Sequence, residues 1–317
     1  MAAIQELGYR PNMTARALAT GRTRTLGLVC LNSTLHGPAS MLYAIEAAAR
    51  AAGYWVSTAS VRMPDRSSLR DAVTRLADQG VDGLVVVAPL TSIQEALAEL
   101  PTQLPLVIVE GDPDGGSPVV RVDQERGARL ATEHLLGLGH KTVWHVAGPQ
   151  DWTDARGRVA GWRAALHEAG AEVMAPLPGN WNAASGYQAG RLLARISDLT
   201  AVFVANDPMA LGVLRALSEH GLRVPEDVSV VGFDDIPESA YYSAPLTTVR
   251  LDYDEVGRGS VSLLLDQIDG VCDSAHDVVV LPELVVRQST AKVVRAHSPR
   301  VEVNLQAMSS SRQSGPR

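Results

Sequence analysis

Between Thr200 and Asp235 the chain runs strand, polar break, helix, turn, strand, and few folds accept that order. The apolar run 201–205 gives way to Asn206, Asp207 and Pro208; a helix is predicted over 209–220, a turn at Gly221, a second strand over 229–232, and then come Asp234 and Asp235. Apolar runs of four or five residues separated by one helical period are what a parallel sheet with crossover helices requires, because such strands are buried on both faces. The stretch therefore reads as a βαβ unit. Ligands of open α/β sheets lie beyond the carboxyl ends of the strands, and both strands here end in polar side chains. Asp207 stands before Pro208, the favoured first helical residue, so its carboxylate is expected to cap the helix and to leave Asn206 for a ligand. Asp234 can face the same crevice, whereas Asp235 is expected to hold the loop that follows.

The same alternation extends over most of the 317 residues. Strands are predicted at 26–31, 55–59, 83–87 and 106–109, with helices at 39–53, 67–80 and 92–100 between them, the last pair leading to a short strand 119–122. A second series follows: helix 125–139, strand 142–147, helix 153–169, strand 172–174, helix 183–195, then the unit already described. Beyond it lie helix 254–268 and a strand pair at 278–281 and 283–286. The fold class expected is α/β, two doubly wound parallel-sheet lobes, with lobe 1 spanning about 25–122 and 252–280 and lobe 2 about 123–250 and 281–295. Residues 1–24 precede this core. The Ser-, Arg- and Pro-rich tail 296–317 has no apolar face and is expected to be disordered.

Charge divides the chain unevenly. The net charge is −7, yet the first 24 residues hold Arg10, Arg16, Arg22 and Arg24 against Glu6 alone, so any polyanion partner is expected at this leader. Its segment from Asn12, a good N-cap, to Gly21, a good stop, is shorter than the roughly 12 to 15 residues an isolated helix needs, and should be helical only when something stabilises it. Cys30 and Cys272 follow no metal or redox spacing, which makes a reduced, cytoplasmic setting the expectation. No run is long and apolar enough for a membrane span or a signal peptide, so no membrane partner is expected. Nor is an enzyme: there is no glycine-rich dinucleotide loop after the first strand, no phosphate loop and no serine elbow. Asp234 and Asp235 could form an acid pair, but adjacent residues at a strand end rarely set two carboxyls across a glycosidic bond as a hydrolase requires. No cofactor, metal or catalytic residue is assigned.

Several stretches in a fixed order resemble the LacI family of bacterial transcription repressors over nearly the whole chain. They are Glu6 to Asn12, Ala15 to Leu18, Leu138 to His140, Ala147 to Pro149, Arg158 to Trp162, Val204 to Asp207, Gly221 to Val224, Asp227 to Asp235 and Pro245 to Thr248. The resemblance implies a core like that of periplasmic sugar-binding proteins: two lobes crossed by three strands, a sugar-like effector in the cleft, and a dimer that binds operator DNA. Family members carry a helix-turn-helix headpiece whose second helix reads the major groove. This chain starts within what the resemblance marks as the last headpiece helix, and the expectation is that the reading frame continues upstream of Met1. The alternative is a headless sugar-binding protein without DNA binding. In the hinge that follows, Asn12, Arg16 and Leu18 are the candidate DNA contacts, Leu18 matching the family's minor-groove wedge.

A polyol effector calls for carboxylates and amides to take hydroxyls, a guanidinium to bind two of them, and an apolar ring for the C–H face. Arg158 matches the family's effector-binding arginine, and Trp181 a tryptophan that stacks on the sugar. Asn206 and Asp234 complete the set from lobe 2, and Glu110 at the end of strand 106–109 stands where the family has an aspartate. Leu35, Gly37, Pro38 and Met41 are expected to form an apolar wall, with Asp154, Leu251 and Tyr253 also at cleft positions. Asp154 replaces a serine, which hints at an effector other than a plain galactoside. Val301, Val303, Leu305 and Met308 do not keep a heptad, so a homodimer rather than a tetramer is expected.

Overall fold

A computed structural model describes residues 21–31, 34–61, 65–98, 103–111, 116–271 and 277–293. The hinge residues Asn12, Arg16 and Leu18 and the tail from 296 onward lie outside the described residues. The first lobe is built on strands Thr25–Leu31 (β1), Trp55–Val61 (β2), Gly83–Val87 (β3), Leu106–Val109 (β4) and Val119–Val122 (β5), with helices His36–Ala51 (α1), Arg66–Asp78 (α2) and Thr91–Ala98 (α3) between them. Strand Val278–Val280 (β11) joins the same sheet much later, in the order β11-β5-β4-β3-β1-β2, and every pairing in it is parallel. Burial explains the composition: all five residues of β3 are buried, because helices cover both faces. Edge strand β2 instead exposes every second or third residue.

The second lobe follows helix Gln124–Gly137 (α4) and holds strands Trp144–Ala147 (β6), Leu177–Pro178 (β7), Ala201–Val204 (β8) and Ser229–Val231 (β9), with helices Thr153–Glu168 (α5), Ala183–Leu193 (α6) and Asp207–Glu219 (α7). Its parallel sheet has the order β7-β6-β8-β9. Strands Thr248–Arg250 (β10) and Glu283–Val285 (β12) pair antiparallel beside it, and helix Tyr253–Ile268 (α8) lies between them in sequence, packed on α1 of the first lobe. The backbone passes between the lobes three times: after β5, after β10 and after β11. Helices α6 and α7 cross at contact distance, and small residues make that possible. A Cβ added to Gly186 would lie 2.0 Å from the Met209 carbonyl oxygen, and one added to Gly212 would lie 2.0 Å from that of Ala183.

Two elements differ from the sequence reading. The strand expected at 172–174 is absent and Leu177–Pro178 pairs with β6 instead, Val146 facing Leu177. An edge strand tolerates Pro178 because one side of it needs no ladder hydrogen bond, whereas three residues of mixed polarity at 172–174 carry too little periodicity to place a strand. The expected strand pair at 278–281 and 283–286 is not a pair at all. Its halves join different lobes, β11 parallel to β5 and β12 antiparallel to β10. Leu281 and Pro282 carry the chain from one lobe to the other, at the boundary the sequence placed between 280 and 281.

Candidate functional site

The carboxyl ends of the two sheets face each other across a cavity of about 600 Å3. Leu35, Gly37, Pro38 and Met41 enter it from the start of α1, where the chain has just left β1. Leu251 and Tyr253 come from the crossing between β10 and α8. The second lobe contributes Asp154 and Arg158 from the first two turns of α5, Trp181 from the loop after β7, Asn206 after β8 and Asp234 after β9. Nine of the ten effector residues expected from sequence thus border one space. Glu110 is the tenth and does not.

Arg158 is the centre of the polar network and is only 3% exposed. Its Nε donates to Gln124 Oε1 at 3.0 Å, one terminal nitrogen to the Ala205 carbonyl, and the other pairs with Asp234 Oδ1 at 3.3 Å. The guanidinium carbon also stands 3.8 Å from the Phe233 ring centroid and 5.4 Å from that of Trp181, a cation–π arrangement. Behind it runs a ladder of rings: Phe233 tilts against Phe203, which stacks on His145 at 4.6 Å, which stacks on Trp162 at 5.2 Å. Burial pushes His145 down to about 3, so it is a neutral ring whose Nδ1 bonds the Phe203 carbonyl. Arg158 is therefore held in place from every side, which suits a group meant to receive a ligand with little reorganisation.

The cap expected of Asp207 is made by Asn206 instead, although Asn206 still borders the cavity. Asn206 is the N-cap of α7: its Oδ1 accepts from Met209 N at 3.0 Å, and its Nδ2 donates to the Trp181 carbonyl at 3.0 Å. One amide hydrogen is left for a ligand. Asp207 is helical and fully buried, and it accepts from Thr248 Oγ1 at 2.6 Å and Ile236 N at 3.0 Å. Both residues are capping types before a proline, so local sequence could not choose between them; the choice came from the distant Thr248, whose hydroxyl needs the carboxylate. Burial first and the nearby Asp234 second raise Asp207 well above the usual carboxylate range. Asp235 holds its loop as expected, through ion pairs to Arg287 at 2.6 Å and Arg250 at 2.7 Å. Burial works against its charge, but these hydrogen bonds prevail and hold it below the ordinary value.

Glu110 is 4% exposed, and its Oε1 accepts from Val122 N at 3.1 Å. That contact turns the side chain to a neighbouring cavity of about 580 Å3, lined also by Arg121, Gln124 and Gly157, with Asp154 as the shared wall. The side chain is one methylene longer than aspartate, long enough to reach the backbone of β5 rather than the central space. Burial raises Glu110 well above its normal value, with the Asp154 charge adding to the effect; burial also raises Asp154 itself, against the pull of Arg158. A carboxyl raised in the folded state contributes stability that is complete below the unfolded value and is lost as pH climbs through the folded one. Glu110→Gln is therefore expected to melt higher than the parent at pH 8 and at the same temperature near pH 4. Melting curves across that range check it, and a constant offset at every pH would refute the assignment.

Backbone strain gathers at the same edge. Glu110, Trp181, Asp234 and Asp235 have φ of 58°, 71°, 100° and 51°, four of the five non-glycine residues with positive φ among those described. Such conformations cost on the order of 1–3 kcal/mol each and persist where the surroundings over-determine them, commonly at ligand sites. Trp181 is 7% exposed, and its Nε1 is buried with no hydrogen-bond partner. Its ring lies so close over Gly148 that a Cβ there would come within 2.2 Å of it. Sequence reasoning missed Trp152, Ile236 and Glu238, which also line the cavity. Trp152 was within reach of the strand-end rule, since it sits in the loop that follows β6. Among the described residues no cluster of His, Cys, Asp or Glu could hold a metal ion, and no helix is long and apolar enough to cross a membrane.

Comparison with known proteins agrees with this architecture. Residues 132–290 match the model of a periplasmic binding protein-like domain. The chain is similar to the lactose operon repressor of Escherichia coli strain K12, 35% identical over 303 residues that cover 94% of this chain and 84% of the relative. Among solved structures it is similar to a lac repressor dimer bound to operator and the anti-inducer ONPF, at TM-score 0.82 and 34% identity over 92% of this chain and 88% of the other. It is also similar to the transcriptional regulator CelR in complex with cellobiose, at TM-score 0.76 and 32% identity over 91% and 88%.

Proposed function

This chain belongs to the LacI family of transcription regulators, and from that premise we propose that it binds a sugar-like effector between its lobes and couples that binding to operator DNA. The observation that carries the reading is the composition of the central cavity. Arg158, Asp234 and the remaining amide hydrogen of Asn206 supply donors and acceptors for hydroxyls, while Leu35, Pro38 and Met41 offer an apolar wall opposite. Lining of this kind, mostly apolar with a few placed polar groups, suits a small polyol. Asp154 and Tyr253 stand close enough to the same space to take further hydroxyls. Glu110 acts at one remove, through the Asp154 it shares with the neighbouring cavity.

An effector that touches α1 of one lobe and α5 of the other favours the closed arrangement over the open one, and it can shift that equilibrium only by its difference in affinity for the two. Three backbone crossings transmit the closure without breaking either sheet. Operator DNA, gripped through a headpiece and the hinge around Asn12, Arg16 and Leu18, would then alter effector affinity by the same factor as the effector alters DNA affinity. Two copies are expected to act together, since Tyr43, Trp55 and Tyr241 are 75%, 71% and 88% exposed and large aromatics are enriched where proteins meet. The direct test is a thermal-shift screen of mono- and disaccharides. A ligand at about 100 times its Kd adds about 2.7 kcal/mol, a rise of several degrees. If no saccharide moves the transition, the sugar reading fails.

A further inference from the structure

The cavity holds a second tryptophan that the polar cluster around Arg158 does not use. Trp152 is half-buried and stands edge-to-face with Trp181, ring centroids 5.7 Å apart and planes at 71°. It is also one of the residues at which the two lobes meet away from the three crossings, as Leu35 is. Its side chain packs against one buried cluster of the second lobe and one of the first, the only side chain shared by those two clusters among the described residues. Its backbone bridges Leu90, and on either side Thr91 N donates to the Asp151 carbonyl at 3.3 Å and Thr153 N to the Pro89 carbonyl at 2.8 Å. The Thr153 hydroxyl reaches the same Pro89 carbonyl at 3.0 Å. These contacts make a backbone strap between the loop after β3 and the loop after β6. Trp152 is at the same time the N-cap of α5, a position where a tryptophan satisfies no amide and polar residues are preferred. Two residues after it comes Asp154 and, one turn further on, Arg158.

We propose that Trp152 is a second ring platform, and that the effector is a two-ring saccharide whose far ring stacks on it and keeps the strap closed. The inference rests on the reading of this cavity as a saccharide site. The two indole planes are steeply inclined to each other, so one pyranose cannot lie flat on both; two rings joined by a glycosidic oxygen can turn between them. Ring one meets Trp181, Arg158 and Asp234. Ring two meets Trp152, whose packing on both cores makes its position dependent on lobe closure. A single sugar fills the first place and leaves the strap free to open, whereas a disaccharide ties it shut. The cavity then measures the length of its ligand, and only the longer one is reported as closure.

Hydrogen exchange at the Thr91 and Thr153 amides reads the strap directly, in the full chain, with lactose against galactose and cellobiose against glucose, each at saturation. One of the disaccharides should slow exchange at both amides at least tenfold more than its component monosaccharide does. In Trp152→Leu that difference should vanish, and in Trp152→Phe, which keeps a ring face, most of it should survive. Equal protection by monosaccharide and disaccharide in the parent protein would overturn the proposal while leaving the saccharide site intact, and needs no variant. Persistence of the difference in Trp152→Leu would overturn it as well. If no sugar of the four binds, as judged by melting temperature, the proposal falls, and the wider saccharide screen decides the reading it rests on.

Discussion

Replacement of Arg158 by alanine is expected to end saccharide binding and to lower the melting temperature by on the order of 10 °C. The reasoning begins with Asp234, which is 8% exposed and whose close cationic partner is Arg158. Removing one member of a buried ion pair leaves the other uncompensated and costs about 3–5 kcal/mol, each of which is worth about 2–4 °C in a domain of this size. The loss of contacts with Gln124, the Ala205 carbonyl and the Phe233 ring adds to it. Burial already raises Asp234 above its usual value, against Arg158 and His36, which hold it down. Without the guanidinium it rises further, so the loss in Arg158→Ala should be larger at pH 8 than at pH 4. Addition of Asp234→Asn should then recover a good part of the stability without restoring binding. Melting curves of the single and double variants decide the matter, and a double variant no more stable than Arg158→Ala would show that the charge left on Asp234 is not the cause.

Trp181 permits a sharper separation of folding from binding. Trp181→Ala should cost about 3–5 kcal/mol, because a large side chain packed over Gly148 and against the second core leaves a cavity behind. Trp181→Phe removes the benzo portion and the one hydrogen-bond donor. In the parent that donor is buried and unpartnered, so losing it carries no penalty to the empty protein, and the smaller void should cost about 1–2 kcal/mol. If Nε1 serves a hydroxyl of the effector, the phenylalanine variant should bind saccharide about tenfold more weakly or worse, beyond what its stability predicts. Calorimetric titration against a sugar found by the thermal screen measures it. Unchanged affinity would show that Trp181 Nε1 gives the ligand no hydrogen bond and leave the ring as packing alone.

The order of elements was legible because it depends on local periodicity. Buried parallel strands must be apolar throughout and helices must repeat every 3.6 residues, so β3, β4, β5 and α5 begin and end within a residue of where the sequence placed them. The binding edge was legible for a related reason: polar residues at the carboxyl ends of apolar runs, such as Asp234 after β9, are otherwise expensive to keep there. Family motifs added Arg158 and Trp181, which no periodicity could have marked.

What tertiary structure alone decided are the choices between residues of the same type. Whether Asn206 or Asp207 caps α7 depends on Thr248, 41 positions further on. Whether Glu110 faces the central cavity depends on the backbone of β5 offering Val122 N within reach. Trp152 became an interlobe contact only when Leu90 was brought beside it by the folding of two separate sheets. Sequence thus determined which segments become strands and helices and which end of each sheet is polar, since those follow from the side chains of neighbours in the chain. Which polar group meets which was set by contacts between segments far apart in sequence, where hydrogen-bond geometry and burial select one partner from several that are chemically equivalent.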